Sequence, residues 1–217
     1  MTIDGPAGAG KSTVARQLAA RLGYLYLDTG ALYRAVAWNV RTAGIDPSDA
    51  QAVAALLPAL HVAMDQRGDG IHVTVNGRDV TDELRTPEIS VIASQVSAIP
   101  AVRDWLLPVQ RRVGEAGGIV AEGRDLGTRV FPAAEAKFFL DADVTTRSTR
   151  RQQDLKVAGR SAPLEQTKQE IEARDQRDRS RAIAPLAPAA DAEVIDSSAL
   201  TVEQVIDRMM AKIAATL

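Results

Sequence analysis

The sequence predicts an α/β fold in three layers, with a five-stranded parallel sheet at the centre, an inserted smaller domain and a short lid. Three observations predict it. First, Gly5-Pro6-Ala7-Gly8-Ala9-Gly10-Lys11-Ser12-Thr13 fits the pattern G-x-x-x-x-G-K-[S/T]. A strand-like Thr2-Ile3-Asp4 precedes it, and Val14, Leu18 and Leu22 follow as one stripe of a helix that Gly23 can end. Second, four further strand-like runs alternate with helical stretches: Tyr24 to Leu27, Ile119 to Glu122, Ala136 to Leu140 and Ala192 to Ile195. Third, Gly5 to Ser12, Asp28-Thr29-Gly30, Glu122 to Asp125 and Asp141 all follow strands, and such sheets bind ligands beyond the carboxyl ends of their strands.

Composition narrows the function classes. A length of 217 residues suits one sizeable core with a small insertion. The net charge of -2 leaves no excess of cations to neutralise a nucleic-acid backbone, and 4% aromatics leave no row of stacking rings for bases. Cysteine is absent, so neither disulfides nor thiolate metal sites arise. No apolar run approaches about 18 residues and no signal peptide leads the chain, so a cytoplasmic protein with no membrane partner is expected. The first strand is short, as though a few native residues preceded it.

In chain order, Asp28 or Thr29 caps a helix whose Leu32, Val36 and Val40 form a stripe up to Gly44. Pro47-Ser48-Asp49 opens a short helix that Pro58 stops. From His61 to Val80 the pattern becomes alternating, with Val62 and Met64 facing Ile71, Val73 and Val75. Turns fall at Arg67-Gly68-Asp69-Gly70 and Asn76-Gly77. This hairpin interrupts a strand–helix chain, so residues 61–112 are expected to form the inserted domain, and 1–60 with 113–217 the main one. Two helices complete the insertion, one with Ile89, Ile92 and Val96, the other with Val102, Leu106, Val109 and Val113. After Asp141 a helix carries Arg147, Arg150 and Arg151, and residues 150–163, including the Gly159 loop, are the candidate lid. A polar helix then runs from Leu164 to Arg181, and Thr201-x-x-Gln204 is a capping box for the last one.

The glycine-rich turn has a direct physical use. A chain passing from strand to helix through glycines aims successive N–H groups, and the positive end of the helix, at one anion. Lys11 would reach the outer phosphates of a nucleotide and the Ser12 hydroxyl would ligand Mg²⁺. The arginines suggest a second anion. Arg174, Arg177, Asp178 and Arg181 are related by three, four and seven residues and share one helix face, while Asp175 and Arg179 point elsewhere. A net cationic face holding one acid suits a phosphate together with a hydroxyl-bearing ligand. It could equally be a solvated, salt-bridged surface. Arg147, Arg150 and Arg151 form a cationic patch beside the lid, where arginine can match charge while the loop excludes water. Arg124-Asp125, Thr29 and Arg34 complete the set, each with a bland alternative as a turn ion pair, cap or surface charge. Arg103 reads on pattern alone as solvated.

These residues resemble the bacterial cytidylate kinase family along essentially the whole chain. The resemblance rests on Ile3-Asp4-Gly5-Pro6-x-Gly8-x-Gly10-Lys11, Leu27-Asp28-Thr29-Gly30-Ala31-x-Tyr33-Arg34 and Gly123-Arg124-Asp125-x-Gly127-Thr128. Phe139-Leu140-Asp141-Ala142 and Arg174-Asp175-x-x-Asp178-x-x-Arg181-x-x-x-Pro185-Leu186 agree as well. It implies a nucleoside monophosphate kinase, with ATP on the phosphate loop, Mg²⁺ beside it, and CMP or dCMP facing it. The insertion would then be the monophosphate-binding domain. By this resemblance Thr29, Arg34, Ser94, Arg103, Asp125, Arg174, Asp178 and Arg181 hold the pyrimidine nucleotide. Ser94, Arg103, Asp125 and Arg181 would lie nearest the base and Arg174 with Asp178 nearest the sugar. Arg124, Arg150 and Arg151 would surround the transferring phosphoryl group. The place beside the base replaces the bland reading of Arg103. Thr29 stands where many members carry serine, and Glu122 where aspartate is common.

Cytosine presents an exocyclic amine beside a ring-nitrogen acceptor and a carbonyl, a pattern that a carboxylate and arginine complement. Uracil would set its carbonyl against Asp125. In-line transfer from ATP to the 5′-phosphate of CMP needs positioning and charge neutralisation rather than a strong base. The rivals are a kinase for UMP, AMP or a small metabolite, and a nucleotide-dependent binding module. A GTP-dependent switch needs an N/T-K-x-D motif, which is absent, and the single D-x-x-G, Asp65 to Gly68, falls at the hairpin turn. A monomer is expected.

Overall fold

The computed structural model describes residues 1–67, 70–157 and 159–216. In order, the chain forms β1 (Thr2–Asp4), α1 (Lys11–Leu22), β2 (Leu25–Asp28), α2 (Thr29–Thr42) and α3 (Ala50–Leu56). Then come β3 (Val62–Arg67), β4 (Gly70–Val75), β5 (Arg78–Asp79), α4 (Pro87–Val96) and α5 (Pro100–Gly114). The last part holds β6 (Ile119–Gly123), β7 (Lys137–Asp141), α6 (Val144–Val157), α7 (Leu164–Arg179), β8 (Glu193–Asp196) and α8 (Val202–Thr216).

Packing divides these into two compact units, Met1–Asp28 with Gly114–Leu217, and Thr29–Val113. The first contains the expected five-stranded sheet, in the order β2-β6-β1-β7-β8 and parallel throughout. The short β1 is central, not at an edge: Ile3 sits opposite Glu122 on one side and Phe138 on the other, and is fully buried. Its core joins Ile3, Val120, Phe138, Leu140 and Ile195 of the sheet to Val14 and Leu18 of α1 and Met209 of α8. Truncating such a side chain, as in Leu18→Ala, costs about 2–5 kcal/mol. The capping box forms as expected: Thr201 N–H donates to Gln204 Oε1 at 2.9 Å, and Gln204 N–H donates to Thr201 Oγ1 at 3.2 Å.

The second unit holds the three-stranded antiparallel sheet β3-β4-β5, with Val62 opposite Val75 and Met64 opposite Val73. Asn76 and Gly77 both take positive φ, 51° and 81°, the geometry a tight two-residue turn requires. The turn expected at residues 67–70 falls, at Gly68 and Asp69, outside the described residues. This unit begins at Thr29 rather than at His61. The reason lies in α2, whose buried Leu32, Val36 and Val40 join the core of Val53, Val73, Val75, Ile89, Val96, Val102 and Leu106. Residues 29–60 therefore belong with the hairpin by packing, although the alternating pattern starts only later.

Candidate active site

The glycine loop is built by close approach. Gly5 has φ of 147°, and a Cβ there would lie 2.0 Å from the Leu140 carbonyl oxygen. Gly8 has φ of 76°, and its Cβ would meet the Arg147 carbonyl oxygen at 2.7 Å. Only glycine lets the loop pass between the end of β7 and the start of α6. Gly10, at φ 89°, heads α1 without any side-chain cap, so the first-turn N–H groups are left for an anion. Lys11 is buried and turns its ammonium to the Pro6 carbonyl at 2.6 Å. Burial first, and the nearby charge of Arg124 second, lower its pKa from the ordinary lysine value. The Glu122 and Asp4 charges pull the other way without overcoming burial, and an arriving polyphosphate would add further countercharge.

Beside the lysine, Ser12 Oγ donates to Glu122 Oε2 at 2.9 Å, and the Tyr26 hydroxyl donates to Glu122 Oε1. Burial and then the Asp28 charge raise the Glu122 pKa, and burial and then Asp28 likewise raise that of the Tyr26 hydroxyl. The hydroxyl and carboxylate oxygens of Ser12 and Glu122 are hard donors of the kind Mg²⁺ takes. Among the described residues no three His, Cys, Asp or Glu side chains converge as a cage. Mg²⁺ is commonly held by one or two protein oxygens together with substrate phosphates and water.

Asp178 is the hub of the second cationic group. Its side chain is 1% exposed and accepts from Arg124 Nε at 2.9 Å and from Arg181 Nη2, while Arg174 Nε stands at 3.9 Å. Burial opposes its ionisation, but the guanidinium charges of Arg124, Arg174 and Arg181 win and hold its pKa below the ordinary value. Helix α7 ends at Arg179, short of the expected Arg181, yet Arg181 still reaches Asp178 from the following segment. Three guanidiniums thus gather about this one carboxylate. Arg150 donates to Ser197 Oγ at 3.0 Å and to the Ser197 carbonyl at 2.7 Å, and its Nη1 would lie 3.9 Å from a Cβ on Gly10. Arg151 is half-buried on the next position of α6.

Asp125 is buried where β6 gives way to one wide helical turn, Leu126–Val130, in which Phe131 N–H reaches back to the Leu126 carbonyl at 2.7 Å. Asp4 holds that turn in place: its two carboxylate oxygens accept from the N–H groups of Leu126, at 2.9 Å, and Gly127, at 2.8 Å. Burial raises the Asp4 pKa to about 6. The sign follows from the bonds. Above that pH both oxygens accept; below it one oxygen carries a proton that faces an N–H donor, and one bond is lost. The Leu126 and Gly127 amide resonances should therefore titrate together with a midpoint near pH 6, and no such titration should occur in Asp4→Asn.

In the second unit Thr29, at the start of α2, Ser94 and Arg103 are buried, and Arg34 is half-buried. Arg103 is not the solvated charge its pattern suggests. Its Nη1 donates to the Ser97 carbonyl at 3.1 Å, its guanidinium stands 5.5 Å from the Tyr33 ring centre, and Ser97 Oγ donates to the Ser94 carbonyl at 2.9 Å. A buried guanidinium on an aromatic face presents a flat cationic surface with donors at its rim.

Arg147 departs from the surface patch in which its spacing placed it. It is buried and bonded to the phosphate loop through the Ala7 carbonyl at 3.0 Å. Asp4, Tyr26, Arg147 and Asp175 are the site's unexpected participants. Tyr26 has its strand position as a signal, Arg147 its place in the arginine patch, and Asp4 and Asp175 their places in the matched motifs, but none of these signals gives their partners.

The cytidylate kinase family model matches residues 1–215. The chain is 46% identical over 214 residues to a cytidylate kinase of Syntrophotalea carbinolica, covering 99% of this chain and 91% of that one. Against a Geobacter sulfurreducens cytidylate kinase it is 47% identical over 209 residues, covering 96% and 90%. A bifunctional pantoate ligase/cytidylate kinase of Synechococcus sp. is 50% identical over 211 residues, and there the chain spans 43% of the relative's length. Among solved structures, a gluconokinase from Sinorhizobium meliloti overlays with a TM-score of 0.50 at 15% identity, covering 99% of this chain and 90% of that one, a likeness of fold alone.

Proposed function

Because the chain belongs to the cytidylate kinase family, and is thus an enzyme that phosphorylates CMP from ATP, we propose how its residues divide the work. The uncapped start of α1 and the loop Gly5 to Thr13 bind the triphosphate through backbone N–H groups, and Lys11 follows the transferring phosphoryl group. Ser12 would hold Mg²⁺, with Glu122 orienting the Ser12 hydroxyl through their hydrogen bond. The bound ion supplies charge neutralisation between the phosphates. Arg124, Arg150 and Arg151 add positive charge around the acceptor phosphate and the transferring group.

The observation that carries the acceptor assignment is the Asp178 hub. A buried carboxylate that keeps Arg124, Arg174 and Arg181 apart in a fixed array prepares a cationic seat for a nucleotide. We assign CMP or dCMP to it, with Asp125 and Arg181 toward the base and Arg174 and Asp178 toward the sugar. The unit Thr29–Val113, through Thr29, Arg34, Ser94 and Arg103, takes the role of the monophosphate-binding domain, and the segment 150–163 that of the lid. No base and no covalent intermediate is needed, since the acceptor is already an anion. We take the enzyme to work as a cytoplasmic monomer on ATP and CMP, with neither nucleic acid nor membrane as a partner.

The deciding experiment is ATP-to-ADP turnover against CMP, dCMP, UMP, AMP and GMP. CMP and dCMP should lead UMP by roughly ten- to a hundredfold, since a carbonyl facing the Asp125 carboxylate leaves a buried acceptor unmatched at about 1–3 kcal/mol. Asp125→Asn should raise KM for CMP and shrink its lead over UMP to within a few-fold. Unchanged discrimination in that variant removes Asp125 from base reading.

A further inference from the structure

Arg147 and Asp175 form a buried ion pair that has no part in the chemistry just described. Their side chains are 7% and 10% exposed, and Arg147 Nη1 meets Asp175 Oδ2 at 2.5 Å. Replacing a pair of this kind by apolar residues is often neutral or stabilising, so a stabilising role alone explains little of its presence. Its geometry offers another reason. The pair takes both polar groups of a single peptide residue: the Ala7 N–H donates to Asp175 Oδ1 at 3.4 Å, and the Ala7 carbonyl accepts from Arg147 Nη1 at 3.0 Å. Arg147 Nε is spent on the Ala142 carbonyl at 2.9 Å. Three segments are thus gripped at once: the phosphate loop at Ala7, the β7–α6 connection at Ala142, and α7 at Asp175.

The grip lies close to both nucleotides. Gly8, next to Ala7, passes so near α6 that a Cβ would strike the Arg147 carbonyl, so the loop cannot shift there without moving Arg147. On α7, Asp175 directly follows Arg174 and precedes Asp178 by three residues, less than one helical turn. A rigid helix passes any displacement of Asp175 to both.

We propose that Arg147 and Asp175 are positioning residues that couple the phosphate loop to α7, so that a triphosphate on the loop orders the arginine array around Asp178, and occupation of that array settles the loop. This rests on the acceptor reading of α7 for its consequence but not for its mechanics. Coupling of this kind is reciprocal: each ligand tightens the other by the same factor.

The test is amide hydrogen exchange of α7 with and without a non-hydrolysable ATP analogue and Mg²⁺, in the full chain and in Arg147→Met and Asp175→Asn. Asp175→Asn keeps an oxygen for the Ala7 N–H but loses the charge, which guards against a variant that merely fails to fold. In the unaltered chain the analogue should slow exchange at residues 174–179 by at least about fivefold. In both variants, at analogue concentrations that saturate them, that protection should fall below twofold. A parallel titration should show the analogue tightening CMP by a similar factor in the unaltered chain and hardly at all in the variants. Protection of α7 that is absent in the unaltered chain, or equal in the variants, overturns the coupling. CMP failing to bind while α7 still responds to the analogue sinks the acceptor reading and leaves the coupling standing.

Discussion

Lys11→Met should lower turnover by at least about 10²–10³-fold, the loss expected when a preorganised charge is removed from the group that develops charge in transfer. The fold should survive, and the ligand-free variant should melt no lower than the unaltered chain. The reason is the burial of this ammonium against a single carbonyl, that of Pro6. A lysine whose folded-state pKa is lowered binds fewer protons folded than unfolded between that value and the ordinary one near 10.4, so its burial opposes folding at neutral pH and relaxes as pH rises. Methionine removes the charge and keeps the apolar stem. Steady-state kinetics and a thermal melt check both halves, and near-normal turnover in the variant would dismiss Lys11 from the transfer step.

Asp178→Ala should destabilise the protein by about 3–5 kcal/mol, because it removes the buried carboxylate that the half-buried Arg124 and Arg181 share. For a chain of this length that corresponds to a fall in Tm of about 6–20 °C. The CMP term should fail as well, with kcat/KM for the acceptor falling far more than KM for ATP rises. The pH dependence has a defined sign. A carboxyl held below its ordinary value contributes stability that is complete above the unfolded value of about 3.9 and fades only as pH falls through the lower folded value. In Asp178→Asn the acid side of the stability profile should therefore be flatter. A variant that melts with the unaltered chain and keeps its acceptor affinity would show Asp178 to be a spectator.

Much of this could be read from residue order alone. The strand–glycine–helix sequence around Lys11 is local, so its pattern carries its geometry. The pair Arg174 and Asp178 is local too, and spacing along α7 gave their shared face, while Arg181 reaches the same carboxylate from beyond the helix end. What spacing does not carry is what lies on the other side of that face. Arg147 has the same three- and four-residue relation to its neighbours as a surface arginine would, and only the passage of Gly8 over α6 reveals it as buried. Asp4 and Tyr26 find their partners 122 and 96 residues away, beyond the reach of any periodicity. Packing starts the second unit at Thr29 while the change of pattern falls at His61, for a related reason. A change from helical to alternating rhythm at His61 marks a change of secondary structure, whereas the stripe Leu32, Val36, Val40 looks the same whichever core receives it.

The bare glycine at the head of α1 has one more consequence. A serine or aspartate, the usual choice for a helix start, takes an extended backbone there, whereas residue 10 holds a φ of 89° that side chains rarely adopt. Routine helix-end optimisation at residue 10 would therefore strain the backbone and crowd the amides that the substrate must find vacant, losing robustness and affinity together.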